Sequence, residues 1–319
     1  MIATYIVQRL AQAIPVLLLV SLGVFLIVQL IPGDPVLVML GADSGASVNR
    51  QQYEELRHQL GFDQPLPLRY VTWVSHVVQG DLGVSLKSRR PVAELLKERY
   101  PATISLAITA LIAALLIAIP AGIVAALRQN TIVDYAAMGF SLWGIAIPNF
   151  WLALILIVIF SINLGWLPSI GYTSPTVNPL DFLRHALMPA IVLGTEMAAH
   201  LTRYLRAEMI EQLNQDYVRS ARAHGLSPSS VVLRHAARNS LLAVITVVGL
   251  QTARLLGGAT IVEMVFSWPG AASLLLEGIF ARDYPVVQGG VLVLALTYVA
   301  VNLVVDVAYR WIDPRVRLA

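Results

Sequence analysis

The feature that most limits what this chain can become is the length of its uncharged runs. Residues 10–31, 102–127, 135–166 and 285–305 contain no Asp, Glu, Lys or Arg over 22, 26, 32 and 21 residues. About 20 apolar residues of α-helix cross the hydrocarbon of a bilayer, so each run is long enough to span. Of the 319 residues, 57% are hydrophobic and only 13% charged. That is about half the charge of an ordinary soluble domain, and it leaves too little polar surface to cover so large a core. The chain reads as an all-α polytopic membrane protein.

Composition removes several chemistries. There is no Cys, which excludes disulfides, thiolate nucleophiles, iron–sulfur clusters and cysteine-based zinc sites. The two lysines, Lys87 and Lys97, do not follow a glycine. No Gly-Lys-Ser/Thr phosphate loop exists, so this chain is not expected to hydrolyse nucleotide. The six histidines fall into no HExxH or paired spacing, and no resident metal is expected. The basic residues follow a membrane-topology pattern rather than that of a nucleic-acid surface.

Six spans are predicted. The first is residues 10–31. A secretory signal has an apolar region of roughly 7–15 residues before a small-residue cleavage site. This run is longer and ends in Pro32-Gly33-Asp34-Pro35, so it is read as retained within residues 1–32. Residues 33–100 are predicted to form a small extracytoplasmic helical subdomain, with short amphipathic helices at 49–60 and 68–79. Turns are expected at Pro65, Pro67, Gly80 and Gly83. In the second span, residues 102–127, Ala110, Ala114, Ala118 and Gly122 share one helical face, where another helix can approach closely. The run from 135 to 166 is interrupted by Pro148-Asn149. It is predicted as a third span followed by a re-entrant or interfacial segment ending at Trp166.

The fourth span lies between Arg184 and Arg203 and contains Glu196 and His200. The fifth, residues 239–262, contains Arg254, and the sixth is 285–305. Residues 101–319 thus form a five-span core with a polar loop at 203–238. An even number of spans places both termini on one side. If that side is the cytoplasm, inner loops hold 11 of the 22 basic residues, and the short outer loops hold only Arg184 and Arg282. This agrees with the positive-inside rule.

The loop at 203–238 carries the most functional information. Leu205, Met209, Leu213, Tyr217 and Ala221 recur every four residues and predict one stripe on one helix. Gly225 after His224 suits a left-handed C-terminal cap. Ser227-Pro228 supplies an N-cap and a first-turn proline for a second helix. The prediction is a cytoplasmic helix–Gly–helix element. Its apolar stripe, edged by Asp216, Arg219 and Arg222, suits either a groove on a partner protein or the surface of an anionic membrane.

The segment Asp216-Tyr217-Val218-Arg219-Ser220-Ala221-Arg222-Ala223-His224-Gly225-Leu226-Ser227 resembles the cytoplasmic loop of ABC importer permeases, the EAA loop with its fixed Gly. It is most similar to the dipeptide/oligopeptide/nickel branch, whose pattern runs Asp-Tyr-Val-Arg-Thr-Ala-Arg-Ala-Lys-Gly-Leu-Ser. The resemblance extends in order through Pro32-Gly33-Asp34-Pro35, Gly80-Asp81-Leu82-Gly83 with Ser85 and Arg90-Pro91-Val92, Pro101-Ala102-Thr103, and Ile147-Pro148-Asn149-Phe150-Trp151. It continues through Gly165-Trp166-Leu167-Pro168, Phe266-Ser267-Trp268-Pro269-Gly270, Arg282-Asp283-Tyr284-Pro285-Val286 and Asp313-Pro314. Three departures stand out: His224 replaces the usual Lys, Ala243 replaces a common Pro, and Ala271-Ala272 follow Gly270 where Leu-Gly or Ile-Gly is usual.

The resemblance implies the first of two homologous permeases in a bacterial inner membrane, importing peptides or similar small solutes. One or two ABC ATPase subunits, binding ATP and Mg, would lie beneath it, and an extracytoplasmic solute-binding protein above it. The chain itself would carry no cofactor and no nucleic acid. Residues 216–226 would be the coupling element seated in an ATPase cleft. Dipeptides, oligopeptides, glutathione, nickel complexes and sugars are all compatible substrates.

Three residues are candidates for the translocation pathway. Arg254 sits mid-span, where a charge costs about 2.5–3.5 kcal/mol on insertion scales. It is expected to face the pathway and a substrate carboxylate, or else to pair with Glu196 or Asp306. Asn149, after the proline break, is the second. Glu263 is the third, as a gate at the outer mouth or as a local cap or salt-bridge partner. Two rival functions frame the reading. An ion-gradient transporter could use Arg254, Glu196 and Asp306 as a relay, but it calls for paired Gly/Pro-broken helices in two repeats, which the sequence does not display. An intramembrane hydrolase would need a nucleophile, and Gly139-Phe140-Ser141-Leu142-Trp143 lacks the last Gly of a Gly-x-Ser-x-Gly elbow.

Overall fold

Leu and Ala dominate the apolar runs, and both are strong helix formers. The computed structural model, which describes residues 2–30, 36–37, 50–59 and 63–312, is accordingly helical throughout, apart from one antiparallel bridge between Val84 and Pro91. In chain order the helices are α1 (Ile2–Leu30), α2 (Arg50–Gln59), α3 (Leu66–Val78), α4 (Val92–Leu127) and α5 (Ile132–Ala146). Next come α6 (Asn149–Leu156), prolonged by π-helical Ile157–Asn163, then α7 (Pro179–Leu213) and α8 (Asp216–Ala223). The short α9 (Pro228–Ser230) passes through π-helical Val231–Ala236 into α10 (Ala237–Val265), followed by α11 (Ala271–Phe280) and α12 (Tyr284–Ile312).

Three described helices are long and apolar enough to cross a membrane, over Ile6–Gln29, Val92–Leu127 and Tyr284–Val307. The second begins at Val92, ten residues before the uncharged run, because the amphipathic turns of 92–101 continue the same helix. A fourth candidate is the pair α5 and α6, broken by a 105° bend. The break has a local cause. Pro148 has no N–H, and its ring drives Ile147 out of helical geometry, to ψ 127°. The break falls at the Pro148-Asn149 interruption read from the sequence. The expected fourth and fifth runs fall on α7 and α10, which carry ionisable side chains. Pro32-Gly33-Asp34-Pro35 and Asp313-Pro314 lie outside the described residues.

The chain divides into two compact units, residues 1–101 with 269–299, and residues 102–268 with 300–319. In the first, Val24 and Val28 of α1 pack with Tyr284 and Val287 of α12, and Phe25 stacks on Tyr70 and Trp73 of α3. Val92 and Leu96 pack with Ala271, Leu274 and Val286. The buried Asp283 clamps a tight loop. Its carboxylate accepts from the Ser85 hydroxyl at 2.5 Å and from the Leu86 and Lys87 N–H groups at 3.1 and 3.2 Å.

In the second unit α7 is the central helix. The small-residue face of α4 packs on it: Ala110, Ala114 and Ala118 are buried. A Cβ on Gly194 of α7 would lie 2.9 Å from the Ala110 carbonyl oxygen. On its other side, a Cβ on Gly144 of α5 would meet Thr195 and Ala199 at 3.1 and 3.3 Å. Small residues therefore set the helix spacing here, as packing in membranes requires. Trp268 closes the core. Its indole N–H donates to the Ala102 carbonyl at 2.9 Å, and Tyr172 and Phe182 meet its ring edge-on.

Candidate functional site

The predicted helix–Gly–helix element is present, with one correction. The stripe at Leu205, Met209, Leu213, Tyr217 and Ala221 is not one helix. α7 ends at Leu213, where the Asn214 amide turns back to the Ile210 carbonyl at 2.9 Å, and Gln215 is extended at ψ 152°. The chain restarts as α8 with Asp216 in its first turn, where a negative charge meets the positive end of the helix dipole. Leu205 and Met209 belong to the core of the second unit. Past the break the register changes: Val218 and Ala221 are buried against Val231, while Tyr217 turns outward and donates its hydroxyl to Gln212 at 2.7 Å. Val218 and Val231 stand outside the four-residue recurrence. The i, i+3 apolar pair of Val218 and Ala221 after the break is the one sequence signal for this small core.

The end of α8 is a complete Schellman motif. The Leu226 N–H reaches the Ala221 carbonyl at 3.3 Å and the Gly225 N–H reaches Arg222 at 3.0 Å. Gly225 adopts φ +78°, the left-handed conformation that side chains disfavour. Ser227 caps the next turn by accepting from the Ser230 N–H, with Pro228 in the first turn. Arg219, Ser220, Arg222, Ala223, His224, Gly225 and Leu226 are all exposed. Among the described residues Arg219 pairs only with Asp216, at 3.3 Å across the surface, a contact of little energetic weight. The result is a short, firmly capped helix. Its apolar side is used internally, and its basic side is offered outward.

A second polar centre supports α7 just before this element. Asp134, 1% exposed at the start of α5, receives a two-pronged contact from Arg206, at 2.5 Å from Nε and 2.6 Å from Nη2. It also accepts the Asn130 N–H at 2.9 Å. The pair ties the turn at 128–134 to α7. In the sequence Asp134 stands out only as the charge that bounds a loop.

Of the pathway candidates, Asn149 opens α6 directly after the 105° break and is half-buried. Arg254 falls within α10, but its side chain lies outside the described residues. Glu196 makes no ion pair with any described residue. Glu263 is fully buried and accepts the Thr103 hydroxyl at 2.8 Å, while its backbone carbonyl accepts the Trp268 N–H. These contacts are those of a local packing residue.

Sequence comparison gives the class. Residues 118–318 match the binding-protein-dependent transport system inner membrane component family, and residues 1–107 match its membrane component N-terminal region. The chain is 42% identical over 313 residues to the glutathione transport system permease protein GsiC of Escherichia coli K12, covering 98% of each. It is 41% identical over 317 residues to a candidate peptide transport system permease protein of Brucella melitensis, covering 99% of each. Among solved structures it is similar to a chain of the MetNI methionine ABC transporter in inward-facing conformations. The TM-score there is 0.57 at 15% identity, covering 69% of this chain and 96% of that one. The likeness fixes the fold. This chain belongs to the binding-protein-dependent transport system inner membrane component family, and it is a multi-span inner-membrane protein.

Proposed function

We propose that this chain is one of two permeases of an ATP-driven importer for peptides or glutathione-like solutes. It has six spans, with α7 and α10 as the fourth and fifth, and both termini in the cytoplasm. The observation that carries the coupling role is the exposed basic side of α8, ended by the left-handed Gly225 and held in place by Val218, Ala221 and Val231. In this reading residues 216–226 seat in a cleft of an ABC ATPase subunit. ATP and Mg bind on that subunit, not on this chain. Closure of the ATPases moves α8 as a rigid body, and α7 carries the motion to the spans, switching access between the two sides. A second permease completes the pathway, a solute-binding protein delivers substrate from outside, and Arg254 and Asn149 line the route. Full-length similarity to peptide and glutathione permeases supports this reading over a gradient-driven transporter or a hydrolase.

The test is purification from native membranes through a tag on this subunit, beside a variant lacking residues 216–227. Recovery of ATPases and a second permease with the intact chain, and loss of the ATPases alone from the variant, is the expected result. Recovery of this chain alone in both cases would overturn the reading.

A further inference from the structure

α7 is covered by protein over most of its length, and Met197, Ala198, Ala199, Leu201, Thr202 and Leu205 are all buried. Leu180, Leu183 and Leu187 are exposed nearer its start, and over residues 192–205 one line of the helix is not covered. Glu196 and Arg203 are exposed, Tyr204 is 41% exposed, and His200 between them is half-buried. None of the four makes a hydrogen bond or ion pair with a described residue. Positions 196, 200, 203 and 204 are one and two turns apart, so they share a face. At the Arg203 end of this line the surface forms an open groove of about 530 Å³ between α5 and α7, lined by Met138, His200, Arg203, Tyr204, Arg206 and Ala207. Groove volumes of this order accommodate small organic ligands.

Glu196 and His200 lie inside the run read as the fourth span, where an ionisable side chain without a partner is costly against lipid and marks a substrate pathway, and Arg203 bounds that run on its cytoplasmic side. The charges here are also arranged by sign. Glu196 stands at one end of the line, and Arg203, with the His200 ring and the Tyr204 hydroxyl, at the other. Arg206 adds a second guanidinium, held by Asp134 and 22% exposed. Seven residues of α-helix rise about 10 Å, and an extended tripeptide spans roughly 10 Å. We infer that this face of α7 is a substrate-binding stripe for short peptides with free termini. Glu196 receives the terminal ammonium, and Arg203 with His200 and Tyr204 receives the terminal carboxylate. The inference rests on the importer reading and adds to it a place on the route and the side chains that hold the two peptide termini.

The chain has no Cys, which makes a thiol reporter clean. Ala207→Cys is introduced and the transporter assembled with cysteine-free partner subunits in proteoliposomes. Labelling by a membrane-impermeant methanethiosulfonate is then followed with Ala-Ala-Ala, its N-acetyl form or its C-terminal amide present. The expected result is labelling that Ala-Ala-Ala slows at least fivefold and the blocked peptides do not. Protection should vanish in Arg203→Gln and in Glu196→Gln, and return in Arg203→Lys. An unreactive thiol in every nucleotide state, meaning that lipid or the second permease covers the face, would overturn the inference. Equal protection by blocked and free peptides would overturn it too. Both of these results are read on the chain with intact charges, so they stand even if a charge variant fails to assemble. ATP-dependent solute uptake is measured in the same vesicles. Uptake without peptide protection sinks only the stripe, whereas absence of any ATP dependence sinks the importer reading itself.

Discussion

Gly225 offers a substitution whose outcome the local geometry determines. It sits at φ +78°, and a Cβ built there meets nothing within 4 Å in this chain. Any penalty for a side chain is therefore conformational rather than steric. The left-handed conformation costs an ordinary L-residue about 1–2 kcal/mol, and Asn less, because its side chain bonds locally. Gly→Ala also narrows the unfolded ensemble, which offsets about 0.4–1 kcal/mol. Gly225→Ala should thus weaken the turn by roughly 1 kcal/mol, about a fivefold loss in the population of the capped helix. Gly225→Asn should lose less, and Gly225→Val, β-branched and intolerant of positive φ, should lose most. The assay is co-purification of ATPase subunits and solute-stimulated ATPase turnover in the reconstituted transporter, with thermal unfolding as the control for the rest of the fold. The backbone argument orders the variants Gly, Asn, Ala, Val. An order in which Ala outperforms Asn would refute it, because side-chain size against a partner, rather than the left-handed turn, would then be the reason for glycine.

Substitutions at four further positions probe the scaffold. Asp134→Ala strands the Arg206 guanidinium and should destabilise the second unit by about 3 kcal/mol, the lower end of the range for breaking a buried pair, since Arg206 keeps some access to water. Denaturant unfolding in detergent measures this, and Asp134→Asn, which keeps one acceptor, should lose less. By the same assay, Gly194→Val places side-chain atoms against the backbone of Ala110 and Ala114 and should cost at least about 1–3 kcal/mol as an overpacked core. Gly139→Ala on α5, where a Cβ has open space, should be neutral or stabilising by about 0.5–1 kcal/mol. Asp283→Ala removes the acceptor of three hydrogen bonds in the loop that carries Lys87 and Arg89, so trypsin should cleave after these two residues much faster than in the parent chain. Unchanged cleavage would show that the loop does not depend on the clamp.

What the sequence reveals about this protein follows the range over which each interaction acts. The helices at 50–59 and 66–78 lie within two residues of the predicted bounds, because Pro65, Pro67 and the amphipathic spacing act within a few residues. The Schellman turn at Gly225 is equally local, as is the Pro148 break. Periodicity alone misleads at α7: the four-residue recurrence from Leu205 to Ala221 runs unbroken through Asn214-Gln215, yet those two residues end the helix. Their side-chain and extended-backbone geometry outweighs a pattern that only reports spacing. Contacts that join distant segments leave no comparable trace. Asp134 and Arg206 are 72 residues apart, and Ser85 and Asp283 are 198 apart, so each looks like an ordinary loop charge or hydroxyl until the fold pairs it. The unpartnered face of α7 shows the same limit from the other side. Glu196 and His200 are visible in the sequence as polar interruptions of a span. That they stand in line with Arg203, while Met197, Ala198, Ala199, Leu201 and Thr202 beside them are buried, is a property of the neighbours that α4 and α5 supply. A helix packed on both α4 and α5 does not need apolar side chains along its whole length, and α7 is the least apolar of the long helices while serving as the centre of its unit.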